Sequence, residues 1–347
     1  MKAKILFMSL VLTLQSTLVK PPVLVNPGNF CYLNTAIQLL YAIKPLTLFL
    51  IDHNNNYTKN SLGYYYAELT KKIYENTYNQ ADVNKFIQFY FKTIEKKTIN
   101  ISEKEETIAD LANAQGDTVE FLGNIINHLI DDINVEYQEY ITNLLTVKDE
   151  LIEPNYNYLL GFPFSIQNTD SIKDIILNNT ALTNTPKTLL IPINRTDSQE
   201  IHDKDIETPL ELTIQGTKYE LVGVLIHLSP NYLTGGHYVV FVKDIKDKNW
   251  YFVNDMELAE IQGEKLTPDE LKNGLILPEL TIKKERGSLF VYVEKKLYEQ
   301  APKKQTPKKV ITETKKSFAP TNQPTLTQAL ENLTDNLYIL QAALENK

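Results

Sequence analysis

Two stretches in the first half of the chain carry apolar residues at three- and four-residue spacing: NTAIQLLYAI over residues 34–43 and TVEFLGNIINHLI over 118–130. That spacing lines one face of a helix, so both are predicted as helices packed on a core. Beyond about residue 188 the pattern changes. TLLIPINR, LELTI, YELVGVLIH, HYVVFVKD, WYFVND and LFVYVEK are short, rich in Val, Ile, Tyr and Phe, and separated by polar breaks. They predict strands of a mostly antiparallel sheet. Helices first and strands afterwards give an α+β chain, not alternating βαβ units.

The two ends read differently. Residues 1–20, MKAKILFMSLVLTLQSTLVK, set Lys2 and Lys4 ahead of an apolar run from Ile5 to Leu14 and then small polar residues, the composition of a signal peptide. The run falls short of the ~20 apolar residues that span a bilayer, so no permanent membrane anchor is expected. A buried N-terminal strand or helix is the other reading. Residues 297–324 mix Lys, Pro and Thr with few large apolar groups and are expected to form a flexible linker. In residues 325–347, Leu326, Leu330, Leu333, Leu337, Leu340 and Leu344 alternate steps of four and three, one stripe on an amphipathic helix that needs a partner surface. Between these ends, residues 21–296 are left as the main domain.

Composition narrows the functional classes. Hydrophobic residues at 43% and charged residues at 22% are ordinary globular values. A net charge of −8 disfavours nucleic acid as a partner, because phosphate binding needs clustered Lys and Arg. The single cysteine excludes an internal disulfide and any site built on several thiolates. Cys31 is therefore either a reactive thiol or an inert buried one. Its surroundings supply part of what a reactive thiol needs and leave both readings open. In VNPGNFCYLNTAIQLL a Pro-Gly turn precedes an apolar-periodic helix, which puts the sulfur near a helix N-terminus that favours negative charge. Asn26, five residues upstream, carries an amide that could face an oxyanion.

The stretch NPGNFCYLNT, residues 26–35, resembles the Cys box of the ubiquitin-specific proteases, N-x-G-N-T-C-Y-M-N-S. YELVGVLIH and GGHYVVF resemble that family's His box, and WYFVND its W-x-x-F-[ND]-D segment, with Val253 in place of Phe. QGDTVEFL, residues 115–122, is similar to its Q-Q-D-A-x-E-F-L segment. The resemblance implies a papain-like cysteine peptidase fold with a helical thumb and an antiparallel β palm and fingers. It implies Cys31 as nucleophile, His237 as base and Asn254 as the group that orients the base. Asn26 and Asp255 fall at oxyanion positions, and Gln115, Asp117 and Tyr238 at substrate-binding ones, where Asp117 would meet an arginine of the substrate's tail. Asp117 also reads as a helix cap, and the two roles are compatible. On an extended strand Asp255 would point away from Asn254, so both are not expected to face His237 equally. His53, His128 and His202 lie in no such context and read as ordinary surface or core residues.

Two departures from the family pattern stand out. The Cys-x-x-Cys zinc ligands are absent, so neither metal nor organic cofactor is expected. His227-Leu228-Ser229 replaces H-x-G beside a loop that looks long. The implied activity is a deubiquitinating cysteine peptidase acting on ubiquitin or polyubiquitin conjugates. The alternatives are a peptidase for another ubiquitin-like modifier and a catalytically silent ubiquitin-binding module. Combined with the signal-like N-terminus, the reading becomes a secreted bacterial effector delivered into a eukaryotic host; without a signal, it is a cytoplasmic enzyme.

Overall fold

The computed structural model describes residues 20–94, 116–145, 164–165, 171–179, 186–195, 204–228, 236–261 and 286–299. The signal-like segment up to residue 19, Gln115, His202, the loop after Leu228 and the leucine-striped segment lie outside the described residues, as does nearly all of the expected linker.

Six helices come first: α1 (Cys31–Ala42), α2 (Lys44–His53), α3 (Leu62–Glu75), α4 (Gln80–Ile94), α5 (Thr118–Asp131) and α6 (Val135–Leu145). All twelve residues of α1 are buried. A helix that is apolar all round belongs at the centre of a domain, and α1 packs against α5 on one side and β4 and β5 on the other. It starts three residues before the predicted helix. Those residues show no amphipathic stripe because every side of the first turn is covered.

The later half supplies α7 (Ile172–Asn179) and strands β1 (Phe164–Ser165), β2 (Thr188–Asn194), β3 (Glu211–Ile214), β4 (Thr217–Leu228), β5 (His237–Lys243), β6 (Trp250–Asn254), β7 (Glu257–Ile261) and β8 (Leu289–Glu294). The strand order is β1-β2-β8-β4-β5-β6-β7, with β3 paired to β4 and only β1–β2 parallel. Both faces are covered, which is why the strands read as continuous apolar runs and not as alternation. Tyr238, Val240 and Val242 of β5 and Leu289, Val291 and Val293 of β8 join the helical core. Val239, Phe241, Phe290 and Tyr292 form a second core on the opposite face, with Ile172, Ile175 and Ile176 of α7.

β4 crosses from one parity to the other. Tyr219 and Leu221 lie in the second core, and so do Val224, Ile226 and Leu228, because a bulge between Leu221 and Gly223 inserts one residue. Gly223 has no side chain to spare: a Cβ there would lie 2.6 Å from Leu39 Cδ2 of α1.

The expected linker starts too early. Leu297, Tyr298 and Glu299 belong to a last helix, α8 (Lys295–Glu299). Tyr298 is fully buried, and its hydroxyl donates to the Asp244 carbonyl at 3.1 Å. One aromatic ring with a satisfied hydroxyl outweighs the polar composition around it.

Candidate active site

Cys31 is the first residue of α1 and only 3% exposed. No side chain of the N-cap residue, Phe30, caps this helix. Asn26 ties down the turn that precedes it, its Oδ1 accepting from the N–H groups of Gly28 at 3.1 Å and Phe30 at 3.0 Å. The Pro-Gly turn is thereby folded over the helix start, and the thiol sits where the helix dipole favours a thiolate.

His237 opens β5, stands close enough to the Cys31 side chain to be influenced by it, and has Nε2 2.5 Å from Asn254 Oδ1 at the end of β6. With Nε2 taken, Nδ1 is the ring nitrogen left for sulfur. Burial pulls the imidazole's pKa down, but the neighbouring Cys31, Asn254 and Asp255 prevail and push it up to about 9. The ring is then a cation at neutral pH, the partner a thiolate needs.

Asp255 lies in the turn after β6 with φ +49. Strand alternation does not apply to it, because β6 ends at Asn254. Its carboxylate comes within 3.9 Å of His237 Nε2, further than Asn254, so the two do face the ring unequally. It accepts from Asn26 Nδ2 at 2.9 Å and from Asn34 Nδ2 at 2.8 Å, while its backbone carbonyl accepts from Leu24 N at 3.2 Å. Asn26 thus uses one of its two amide hydrogens on Asp255. A cleft of about 440 Å³ opens here, lined by Val25, Asn26, Leu228, His237, Asn254, Asp255, Met256 and Glu257.

Asp117 is the N-cap of α5, its Oδ1 accepting from Val119 N at 2.8 Å and Glu120 N at 2.9 Å. Its Oδ2 accepts from the Tyr238 hydroxyl at 3.4 Å. These two expected substrate-binding residues therefore touch. Gly116, just before them, lets Tyr32 approach: a Cβ at 116 would meet that ring at 2.6 Å. Across the β4–β5 ladder from Tyr238 lies His227, its ring stacked at 4.3 Å. Burial drives His227 down to about 4; Asp117 opposes the fall and His237 adds to it, so this second histidine is neutral at pH 7.

The two remaining described histidines lie apart from these groups. His128 pairs with Asp132 one turn along α5 at 3.2 Å, and His53 is buried against Phe49 and Tyr137. Among the described residues no group of three or more His, Cys, Asp or Glu side chains could hold a metal ion.

Two residues at the site were not singled out in the sequence. Asn34 lies inside the Cys box and could have been questioned there. Glu257 accepts from Asn254 Nδ2 at 3.0 Å across the β6–β7 hairpin. Its signal is only the two-residue spacing of the turn, visible once WYFVND and the following ELAEI are read as paired strands.

Comparison with known proteins agrees with this arrangement. Ubiquitin carboxyl-terminal hydrolase 48 of Danio rerio is 29% identical over 152 residues, 39% of this chain and 14% of that protein. Ubiquitin carboxyl-terminal hydrolase 15 of Schizosaccharomyces pombe is 24% identical over 301 residues, 70% of this chain and 25% of that protein. The chain therefore spans a minor part of the length of either relative. Among solved structures, a chain of the SAGA Ubp8/Sgf11/Sus1/Sgf73 DUB module bound to ubiquitin aldehyde superposes with a TM-score of 0.55 and 16% identity, covering 84% of this chain and 74% of that one. That likeness supports the papain-like α+β fold. The family model of ubiquitin carboxyl-terminal hydrolases matches residues 23–292, from the approach to the Asn26 turn through to β8, and the chain belongs to that family.

Proposed function

We propose that this chain is a deubiquitinating cysteine peptidase that hydrolyses the peptide or isopeptide bond after the C-terminal glycine of ubiquitin. The observation that carries the reading is Cys31, at the start of a buried helix, set beside a His237 that is hydrogen-bonded to Asn254. The Cys31 thiolate attacks the carbonyl carbon, and its oxygen takes the displaced electron pair. The remaining N–H of Asn26 and backbone N–H groups at the start of α1 are the donors positioned for that oxyanion. The His237 imidazolium gives its proton to the leaving amine as the carbonyl re-forms, leaving an acyl-enzyme thioester. Water, deprotonated by the now neutral His237, then releases the acid and restores the thiol pair.

Ubiquitin as substrate is supported by family membership and by the acidic side chain of Asp117 beside Tyr238, suited to a basic tail. The test is cleavage of a fluorogenic ubiquitin C-terminal amide by residues 21–347, beside Cys31→Ala and matching substrates built on other ubiquitin-like modifiers. Turnover that vanishes in Cys31→Ala is the expected result. Tight ubiquitin binding without turnover would replace the enzyme by a binding module, and cleavage of only another modifier would change the substrate. Export of the protein, including delivery to a eukaryotic host by a bacterium, rests on the composition of residues 1–20. Intact Met1 on exported material would remove that reading.

A further inference from the structure

The β6–β7 hairpin turns in two residues, Asp255 and Met256, so Asn254 and Glu257 face each other as a register pair. The Asn254 amide is gripped at both ends: its Oδ1 lies on His237 Nε2 at 2.5 Å and its Nδ2 donates to Glu257 Oε2 at 3.0 Å. A carboxamide can adopt two orientations of nearly the same shape that differ only in which end donates. Here the neighbours distinguish them. The imidazolium Nε2–H requires an acceptor, and a carboxylate requires a donor. One orientation meets both needs; the other sets NH2 against N–H and carbonyl against carboxylate.

We propose that Glu257 is a positioning residue, holding the Asn254 amide with its oxygen toward His237. The proposal rests on the cysteine-peptidase reading above and adds a fourth side chain to the series Cys31, His237, Asn254. The titratable groups around the ring are Cys31 from α1, His227 from β4, Asp255 in the hairpin turn and Glu257 through Asn254. Glu257 alone among them acts through the orienting amide, without direct contact with His237. Asn34 and Asn26 perform a related task on Asp255, but a carboxylate accepts from either oxygen and has no orientation to lose. The same reasoning supplies the test. An aspartate at position 254 would accept from His237 whichever way it turned, and its other oxygen would meet the Glu257 carboxylate as a like charge, so in that background Glu257 should no longer help.

The experiment uses the full chain as wild type, Glu257→Leu, Glu257→Gln, Asn254→Asp and the Asn254→Asp/Glu257→Leu double variant, each checked for folding by circular dichroism. The first readout is the rate of Cys31 alkylation by iodoacetamide against pH, which needs no knowledge of the substrate; the chain has one cysteine, so label uptake reports on this thiol alone. The second is kcat and KM on the ubiquitin amide. Glu257→Leu is expected to slow alkylation at pH 7 roughly tenfold. It should also move the alkaline limb to lower pH, and lower kcat with KM nearly unchanged. Glu257→Gln, which keeps an acceptor, should fall between wild type and Glu257→Leu. In the Asn254→Asp background, where the two carboxylates repel, the leucine substitution should cause no loss of rate. An equal loss in both backgrounds would assign Glu257 a strand-packing role and overturn the proposal, as would an unaltered alkylation profile in folded Glu257→Leu. A wild type that shows the paired-thiol profile but leaves ubiquitin amides intact would remove the substrate and leave the role of Glu257 standing.

Discussion

His237 stands between a low-dielectric surrounding that disfavours its charge and a thiol, an amide and a carboxylate that favour it, and the latter prevail. Its folded pKa of about 9 lies above the ordinary ~6.5 of an unfolded chain. The contacts that raise His237 therefore contribute stability that is present in full below about pH 6.5 and is lost as pH rises through about 9. Catalysis should follow the same group: kcat/KM is expected to fall on an alkaline limb centred near pH 9, read from a pH–rate profile. In Cys31→Ala the thiol and its charge are gone while burial remains, so NMR titration of His237 should give a lower value than in the wild type. An unchanged titration would show that the two side chains do not form a pair. Asn34→Ala should leave Asp255 held by Asn26 alone and lower kcat about tenfold through a loosened oxyanion side, with little effect on KM. Cys31, His237, Asn254 and Asn26 were legible because each lies in a short segment whose neighbours explain it. Asn34 and Glu257 were not, because what they do depends on closure: Asn34 reaches Asp255 across 221 positions of sequence.

At the scale of elements, helix α5 carries two functions on one carboxylate. Asp117 caps the helix with Oδ1 and meets Tyr238 with Oδ2, so a substitution can separate stability from substrate binding. Asp117→Ala removes the cap and should cost about 1 kcal/mol in thermal or urea unfolding. Asp117→Asn keeps a capping oxygen and should cost much less, yet it removes the negative charge. If Asp117 meets a basic tail, both variants raise KM for the ubiquitin amide, and the asparagine does so without destabilising the protein. A KM unchanged in Asp117→Asn would leave Asp117 as a cap only. Such caps and stripes decide how readable an element is. α5 shows a clean apolar stripe and was predicted almost to its ends, whereas α3 has the same spacing at Leu62, Tyr66, Leu69 and Ile73 but is blurred by half-exposed Tyr64 and Tyr65. Strands β4, β5, β6 and β8 were legible from β-branched and aromatic runs. β7 was not, because ELAEI at the sheet edge is covered only in part and lacks that composition.

At the largest scale, the described residues build a sheet with a core on each face, and the site belongs to one of them. Cys31 lies in the helical core with Leu289, Val291 and Val293, whereas Phe290 and Tyr292, one step along the same strand, belong to the core on the far side. The topology could not be read from the chain, since β8 inserts between β2 and β4 by pairings that no local pattern records. The pleat nonetheless makes a prediction about how stability and activity separate. Phe290→Ala deletes a fully buried ring and should cost about 3–5 kcal/mol, seen as a lower urea midpoint. Its cavity opens away from α1, so the fraction that remains folded should turn over substrate within about twofold of wild type. Val291→Ala removes far less volume and should cost less stability. But Val291 lies under the sheet surface where α1 packs, its Cγ2 only 3.6 Å from where a Cβ on Gly223 would sit beside Leu39. A cavity there lets the helix that carries Cys31 shift, and a small displacement of a nucleophile is costly in rate. The expected order is therefore inverted between the two measurements, with Phe290→Ala the less stable variant and Val291→Ala the slower one. Equal ranking in both would mean that the sheet transmits a far-side cavity to the site, and that the two cores are not mechanically separate.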